Sequence, residues 1–236
     1  MKLQTHEKKV LSETDNLVAK PLPLETLFHK YGTERSHADN VARNSVQLFD
    51  LLAPFHGLDT KYRRLMEISA LLHDIGVSTD LKKHHLAGRD ILFRHPPLEL
   101  LESLYPVVAW AAFLHRKKAG EKRIEKLRKT SFAEMPEEIQ ILTLKVAALL
   151  RLADALDYSR LESKLGSSSF ENGVVVLKIK GPGATIDAER MSKKEDLWDL
   201  LFKTKLEFRP ESKNRIKQGN QRTESNKGIK EQNKNN

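Results

Sequence analysis

Apolar residues recur three and four positions apart over the first two thirds of the chain, the spacing of one face of an α-helix. The first such pattern begins at Ser36, and Pro54 and Gly57 interrupt it. Pro106 predicts a kink or a break in a later, almost wholly apolar stretch. The pattern predicts helices over residues 36–52, 61–75, 84–93, 98–114 and 136–158.

The last part of the chain has a different pattern, with β-branched residues and turn residues. Three serines at 167–169 predict a linker or a turn, and Gly181-Pro182-Gly183 predicts a tight turn. Alternating apolar and polar residues after position 203 suit a strand with one buried face, formed by Thr204, Leu206 and Phe208. We expect strands over 174–180 and 203–209, a strand over 184–188 that pairs back, and a short helix over 192–201.

These patterns predict a mainly α fold, in which a helical bundle is followed by a small α+β appendage. The first residues are polar without apolar periodicity, and the last ones carry seven basic and three acidic residues among Asn, Gln, Ser and Gly. The predicted organisation is a flexible arm (1–21), a helical domain (22–165), an α+β subdomain (166–209) and a disordered basic tail (210–236).

The excess positive charge, +9 in all, is concentrated in particular segments of the chain. Besides the tail, residues 116–129 hold eight basic and two acidic residues, and we expect this block to be a solvated loop. Cysteine is absent, which fits a reducing compartment, and no signal peptide is apparent. The longest apolar run, 107–114, is too short to span a bilayer, so we expect a soluble, cytoplasmic protein without membrane contact.

The candidate chemistry centres on His73 and Asp74, which follow an apolar helical run and precede Gly76. An imidazole nitrogen and a carboxylate oxygen can both bind a metal ion near a helix end. His37 and Asp154 complete a predicted ligand set. The alternative is that these residues only make packing contacts, or that Asp154 pairs with Arg151, without binding a metal. Nitrogen and oxygen donors without sulfur suit Mn, Fe, Ni, Zn or Mg as divalent ions.

A second metal site is allowed by the sequence if Asp74 bridges two ions. His84 or His85, together with His115, would complete it, and two bridged metals are a common device for hydrolysing phosphate esters. Cations next to these ligands predict an anionic, phosphorylated substrate. We expect Arg151, Arg116 and Lys83 to neutralise its phosphoryl charge.

The order His37, His73-Asp74, Asp154 resembles the H…HD…D signature of the HD-domain metal-dependent phosphohydrolases. The likeness is closer to the C-terminal HD region of the exopolyphosphatase/guanosine-pentaphosphate phosphatase (Ppx/GppA) family, and it covers roughly residues 22–209. The segments that carry it are His37–Ala42, Leu48–Asp50, Leu72–Gly76, His84–His85, His115–Lys117 and Leu149–Asp157.

The resemblance implies an HD-type helical bundle and a metal-dependent phosphohydrolase acting on a nucleotide or polyphosphate-like ester or anhydride. It also implies an alternative, because the family's phosphatase site lies in N-terminal actin-like domains that this sequence lacks. The chain would then be a non-catalytic module that binds polyphosphate or a partner, and a homodimer is compatible with either hypothesis. The family often has His-His-x-His where Ala87 takes the last position here, which bears on the second metal site. RNA binding through the basic segments is a third, weaker hypothesis.

Overall fold

The structure, a computed structural model, describes residues 19–211. Its first 140 or so residues are helical and contain short 3₁₀ turns at Thr60–Tyr62, Glu102–Leu104 and Ser131–Glu134. The α-helices of this part are α1 (Leu24–Tyr31), α2 (Arg35–Leu51), α3 (Ala53–His56), α4 (Arg63–Leu71), α5 (His84–Arg94), α6 (Tyr105–Leu114), α7 (Glu121–Leu127) and α8 (Glu137–Leu156).

Helices α6 and α8 pass through the centre of the bundle. Their residues are apolar on nearly every side because other helices surround them: α6 packs on α4, α5 and α8, and α8 also packs on α2. The indole of Trp110 on α6 is fully buried, with the rings of Phe93, Phe113 and Phe132 edge-on to it. This packing fixes the ends of the helices that carry the candidate ligands.

A three-stranded sheet follows the bundle, in the order β1 (Lys164–Glu171), β2 (Val174–Lys180) and β3 (Lys205–Pro210). Strand β2 pairs antiparallel with β1 and parallel with β3. The connection from β2 to β3 contains α9 (Ala184–Ser192) and α10 (Asp196–Leu201), and both helices also pack on α8. The sheet is therefore joined to the bundle through these helices, and the predicted mainly α fold with a small α+β part is confirmed.

Two predicted helices are shorter than the sequence pattern suggested. The helix over 61–75 ends at Leu71 and gives way to successive turns, since the amide of Ile75 bonds to Leu72 and that of Val77 to Asp74. The helix over 98–114 begins only at Tyr105, with Pro106 in its first turn. Proline is tolerated there because its missing N–H would have no intrahelical partner.

Other local predictions were wrong. The serines at 167–169 lie in β1, an edge strand that leaves small polar side chains exposed. Residues 184–188 form the start of α9 instead of a strand, because Ala184, Ala188 and Met191 lie on one buried helical face. The basic block 116–129 is not all loop, since Ile124 and Leu127 bury one side of α7.

Helix α1 was not predicted. Most of the predicted arm and tail, residues 1–18 and 212–236, lie outside the described residues. Among residues 19–211, no helix is both long enough and apolar enough to cross a membrane.

Candidate metal centre

His73 and Asp74 lie in the turns that follow α4. This turn segment packs directly on the start of α5, because a Cβ atom added to Gly76 would lie 2.3 Å from the carbonyl oxygen of His84 and 2.4 Å from the amide nitrogen of Gly88. Glycine is therefore required for this close approach. The contact brings His84 next to Asp74.

The two carboxylate oxygens of Asp74 face different histidines. Its Oδ2 lies 3.5 Å from Nε2 of His73 and 3.8 Å from Nε2 of His37. Its Oδ1 lies 3.2 Å from Nε2 of His84 and 3.3 Å from Nε2 of His115. Asp74 thus stands between two groups of nitrogen donors.

Asp154 joins the group around Oδ2 of Asp74. Its Oδ1 lies 3.6 Å from Nε2 of His37 and 3.7 Å from Nε2 of His73. We call His37, His73, Asp154 and Oδ2 of Asp74 the first half of the centre. His84, His115 and Oδ1 of Asp74 form the second half, and each half contains a cluster of donor atoms compact enough to hold a metal ion.

The other ring nitrogen of each histidine faces an acceptor. In His37, Nδ1 lies 2.7 Å from the Asp157 carboxylate. In His73, His84 and His115, Nδ1 lies 2.7, 3.1 and 2.5 Å, respectively, from the oxygen of a main-chain carbonyl. A carbonyl oxygen can only accept, so in His73 and His115 Nδ1 carries the proton and Nε2 presents its lone pair. Such contacts are typical of metal-binding histidines.

The donor atoms fit a metal ion. Nε2 of His37 and of His73 are buried without a hydrogen-bond partner, although buried polar atoms are rarely left unpaired. Burial alone would raise the pKa of Asp74, but the nearby His73 and His115 outweigh it and hold the pKa below its usual range. Burial lowers the pKa of His115. Ionised carboxylates and neutral imidazoles are the forms that bind metals.

His85, a predicted ligand, is directed elsewhere. It lies beside the ring of Phe113, at 5.6 Å between ring centroids, and does not belong to either half of the centre. Burial lowers its pKa to about 3, with the nearby charge of Lys117 contributing. Of the two adjacent histidines, the structure therefore brings only His84 to Asp74.

The predicted phosphate-binding cations lie in different environments. Arg116 is at the edge of the second half, where its Nη1 donates to the carbonyl of Lys82 at 2.6 Å. Lys83 is exposed on the turn that precedes α5. Arg151 is fully buried. Its Nη1 donates to carbonyl oxygens and its Nη2 pairs with Asp196, which favours a structural role over the predicted contact with a phosphate.

Two residues near the centre were missed by the sequence analysis as site residues. Asp157 holds His37, and only its place one helical turn after Asp154 could have indicated this. Lys194 comes from the α+β part and donates to the carbonyl of His115 at 2.9 Å. Burial lowers its pKa to about 8, an effect that Asp154 opposes. No sequence motif marks Lys194.

A pocket of about 300 Å³ adjoins the first half. His37 and Asp157 form part of its wall, together with Asn40 and the cationic side chains of Arg43 and Arg160. Its lining is largely polar and of mixed charge. Such a pocket can accept polar groups of a ligand close to the His37–Asp157 pair.

Comparison with known families places this geometry in context. The family profile described as Ppx/GppA phosphatase, domain III, matches residues 22–206. No curated protein matches the chain. The matched region contains His37, His73, Asp74, His84, His115 and Asp154, as well as strands β1 and β2 and the start of β3. The chain thus belongs to the Ppx/GppA phosphatase family, and residues 22–206 correspond to its domain III.

Proposed function

We propose that this protein is an HD-type, divalent-metal-dependent phosphohydrolase. The observation that carries the proposal is the position of Asp74, whose two oxygens each face the Nε2 atoms of a separate histidine pair. A carboxylate shared in this way is typical of centres that hold two metal ions. A bridged pair also explains why buried Nε2 atoms lack protein partners.

His37, His73, Asp74 and Asp154 would hold one ion, and Asp74, His84 and His115 a second. The bound ions would supply Lewis-acid activation of water and of a phosphoryl oxygen. The chain's own contribution is orientation: the Nδ1 contacts fix each ring, and Asp157 adds a negative charge behind His37. Mn, Fe, Ni, Zn and Mg all remain candidates for the ion.

Family membership and surface charge support a phosphate ester or anhydride as substrate, with nucleotides and polyphosphate preferred. Arg116 and Lys83 are the chain neighbours of His115 and His84, and they are the cations that we expect to approach such an anion. Arg43 and Arg160, in the pocket beside the first half, add positive charge on the other side. A homodimer and a cytoplasmic location stay predictions from the sequence.

A second candidate function is a module that binds polyphosphate or a partner without hydrolysing it. The burial of Arg151 favours this candidate, because a guanidinium committed to carbonyl oxygens and Asp196 is not free to neutralise a reacting phosphoryl group. The absence of a histidine at Ala87 points the same way. Binding without turnover would distinguish the module from the enzyme.

The test is phosphate release from a nucleotide and from polyphosphate, measured with chelated protein and after adding Mn²⁺ or another divalent ion. We expect metal-dependent turnover that falls by about 100-fold or more in Asp74→Asn, because both halves lose a charged ligand. Asp59→Asn changes an exposed aspartate and is the control. Substrate binding without metal-dependent turnover would refute the enzyme and favour the module.

A further inference from the structure

We propose that Lys194 and Asp196, in the α+β part of the chain, are positioning residues for the second half of the metal centre. They hold the segment from His115 to Ala119, which begins with a candidate ligand and continues with the cations Arg116 and Lys117. The metal-related part of this inference rests on the proposed function. The contacts themselves do not.

The segment is first held from inside the bundle by Arg151. Its Nη1 donates to the carbonyl oxygens of Leu114 at 2.8 Å, His115 at 3.2 Å and Lys117 at 2.8 Å. These carbonyls belong to the end of α6 and the residues after it, where intrahelical donors are no longer available. A buried guanidinium thus replaces the missing helix hydrogen bonds.

The α+β part adds two contacts to the same segment. Nζ of Lys194, whose side chain is 7% exposed, donates to the carbonyl oxygen of His115 at 2.9 Å. The carboxylate of Asp196 accepts from the amide of Ala119 and also pairs with Arg151. Asp196 therefore orients the guanidinium and fixes the far end of the segment, while Lys194 fixes its beginning.

These contacts bear on the ring of His115 through its main chain. The ring is tied to the carbonyl of Ala112 within the same turn, so its direction follows the backbone at His115. A displaced carbonyl would move Nε2 away from Oδ1 of Asp74, from which it now lies 3.3 Å. Buried hydrogen bonds to charged donors are the strong ones, and losing them leaves a carbonyl short of partners.

The first half receives no hydrogen bond from Lys194 or Asp196 among the described residues, and its link to them is the charge interaction between Lys194 and Asp154. The rings of His37 and His73 donate from Nδ1 to the Asp157 carboxylate and the Ala70 carbonyl, both in the helical part. Loss of Lys194 or Asp196 should therefore displace His115 and leave the ring of His37 in place. A general loss of stability would instead affect both halves alike. A positioning role of these residues can therefore be distinguished from a merely structural one.

The test compares Lys194→Met and Asp196→Asn with the wild type and with Lys193→Met, an exposed neighbour that serves as the control. The first readout is the imidazole ¹⁵N NMR spectrum of the metal-free protein. We expect changed shifts for His115 in both variants, smaller changes for His84 and His73, whose rings lie 5.3 and 5.2 Å from that of His115, and an unchanged His37. If either variant does not fold, the other decides, since each removes a different contact.

The second readout is a Mn²⁺ titration followed by calorimetry. We expect one of the two equivalents to lose about 10-fold or more in affinity, with no comparable loss at the other. Unchanged His115 shifts, or equal changes in all four histidines, would overturn the proposal. A wild type that binds no Mn²⁺ would defeat the proposed function instead, and the metal-free spectra would still decide whether Lys194 and Asp196 position His115.

Discussion

The two halves of the centre share Asp74 but are built in different ways. In the first half, His37 comes from α2 and Asp154 from α8, and Nδ1 of His37 is held by Asp157, which is 120 residues away in sequence. In the second half, Nδ1 of His84 and of His115 contact carbonyls only three residues earlier. The ring of His37 is therefore oriented by a long-range contact, whereas the rings of both second-half histidines are oriented by local ones, as is the ring of His73.

The comparison shows where each half is vulnerable. Helices α2 and α8 pack closely in the core, so moving the first half means disturbing the bundle. The second half depends on how α5 meets the turn at Gly76 and on the segment after His115. We therefore expect substitutions that act on one half and spare the other.

The largest effect on the second half should come from Gly76→Ala. The new methyl group would meet backbone atoms of His84 and Gly88, so α5 must shift and carry His84 with it. We expect a loss of about 3 kcal/mol in unfolding free energy, measured by urea denaturation, and weaker binding of one metal equivalent. The matched control is Gly120→Ala, where no atom lies within 4 Å of the added methyl group.

An equal loss of stability in both glycine variants would contradict this account of Gly76. Normal metal binding at both halves in a destabilised Gly76→Ala protein would also contradict it. The position of His84 would then not depend on the close contact between the turn and α5.

A smaller effect, on the first half, is expected from Asp157→Asn. The amide keeps the shape of the carboxylate but removes the negative charge beside Nδ1 of His37. We expect about 10-fold weaker binding of the metal at the first half and no change at the second, measured by calorimetric titration with Mn²⁺. Equal weakening of both equivalents would show that the halves are not independently supported.

The smallest effect concerns His85, the histidine that does not join either half. Burial lowers its pKa to about 3, so the unfolded chain binds more protons than the folded protein between pH 6.5 and pH 3. Stability from this group is therefore complete above pH 6.5 and is lost as the pH falls. We expect the metal-free wild type to lose about 1–2 kcal/mol more than His85→Leu between pH 6.5 and pH 5.

Urea denaturation at the two pH values measures this difference. A parallel pH dependence in wild type and variant would mean that His85 is not held neutral by its surroundings. Metal binding by His85→Leu should match the wild type, in contrast to a His84→Leu protein, because only His84 faces Asp74.

Much of this arrangement could be predicted from the sequence. The spacing of His37, His73-Asp74 and Asp154 indicated one ligand set, and the structure brings these four residues together. The sequence could not decide between His84 and His85, because neighbouring helical residues point about 100° apart and the choice depends on how α5 packs.

The role of Arg151 was not predictable for a different reason. Its partner Asp196 lies 45 residues further along the chain, in the connection between β2 and β3, so no local spacing connects them. In the sequence, Asp154 is the carboxylate nearest to Arg151, but in the structure Arg151 pairs with Asp196. Residues 184–188 were assigned to a strand because five alternating residues are too few to separate a strand from a helix that buries every third or fourth residue.

The most direct test of the shared Asp74 is the metal content of the protein. Protein loaded with Mn²⁺ and passed through gel filtration would be analysed by mass spectrometry for metal per chain. We expect two equivalents in the wild type and none in Asp74→Ala, because both halves lose a ligand. Retention of metal by Asp74→Ala, or no more than one equivalent in the wild type, would contradict this expectation.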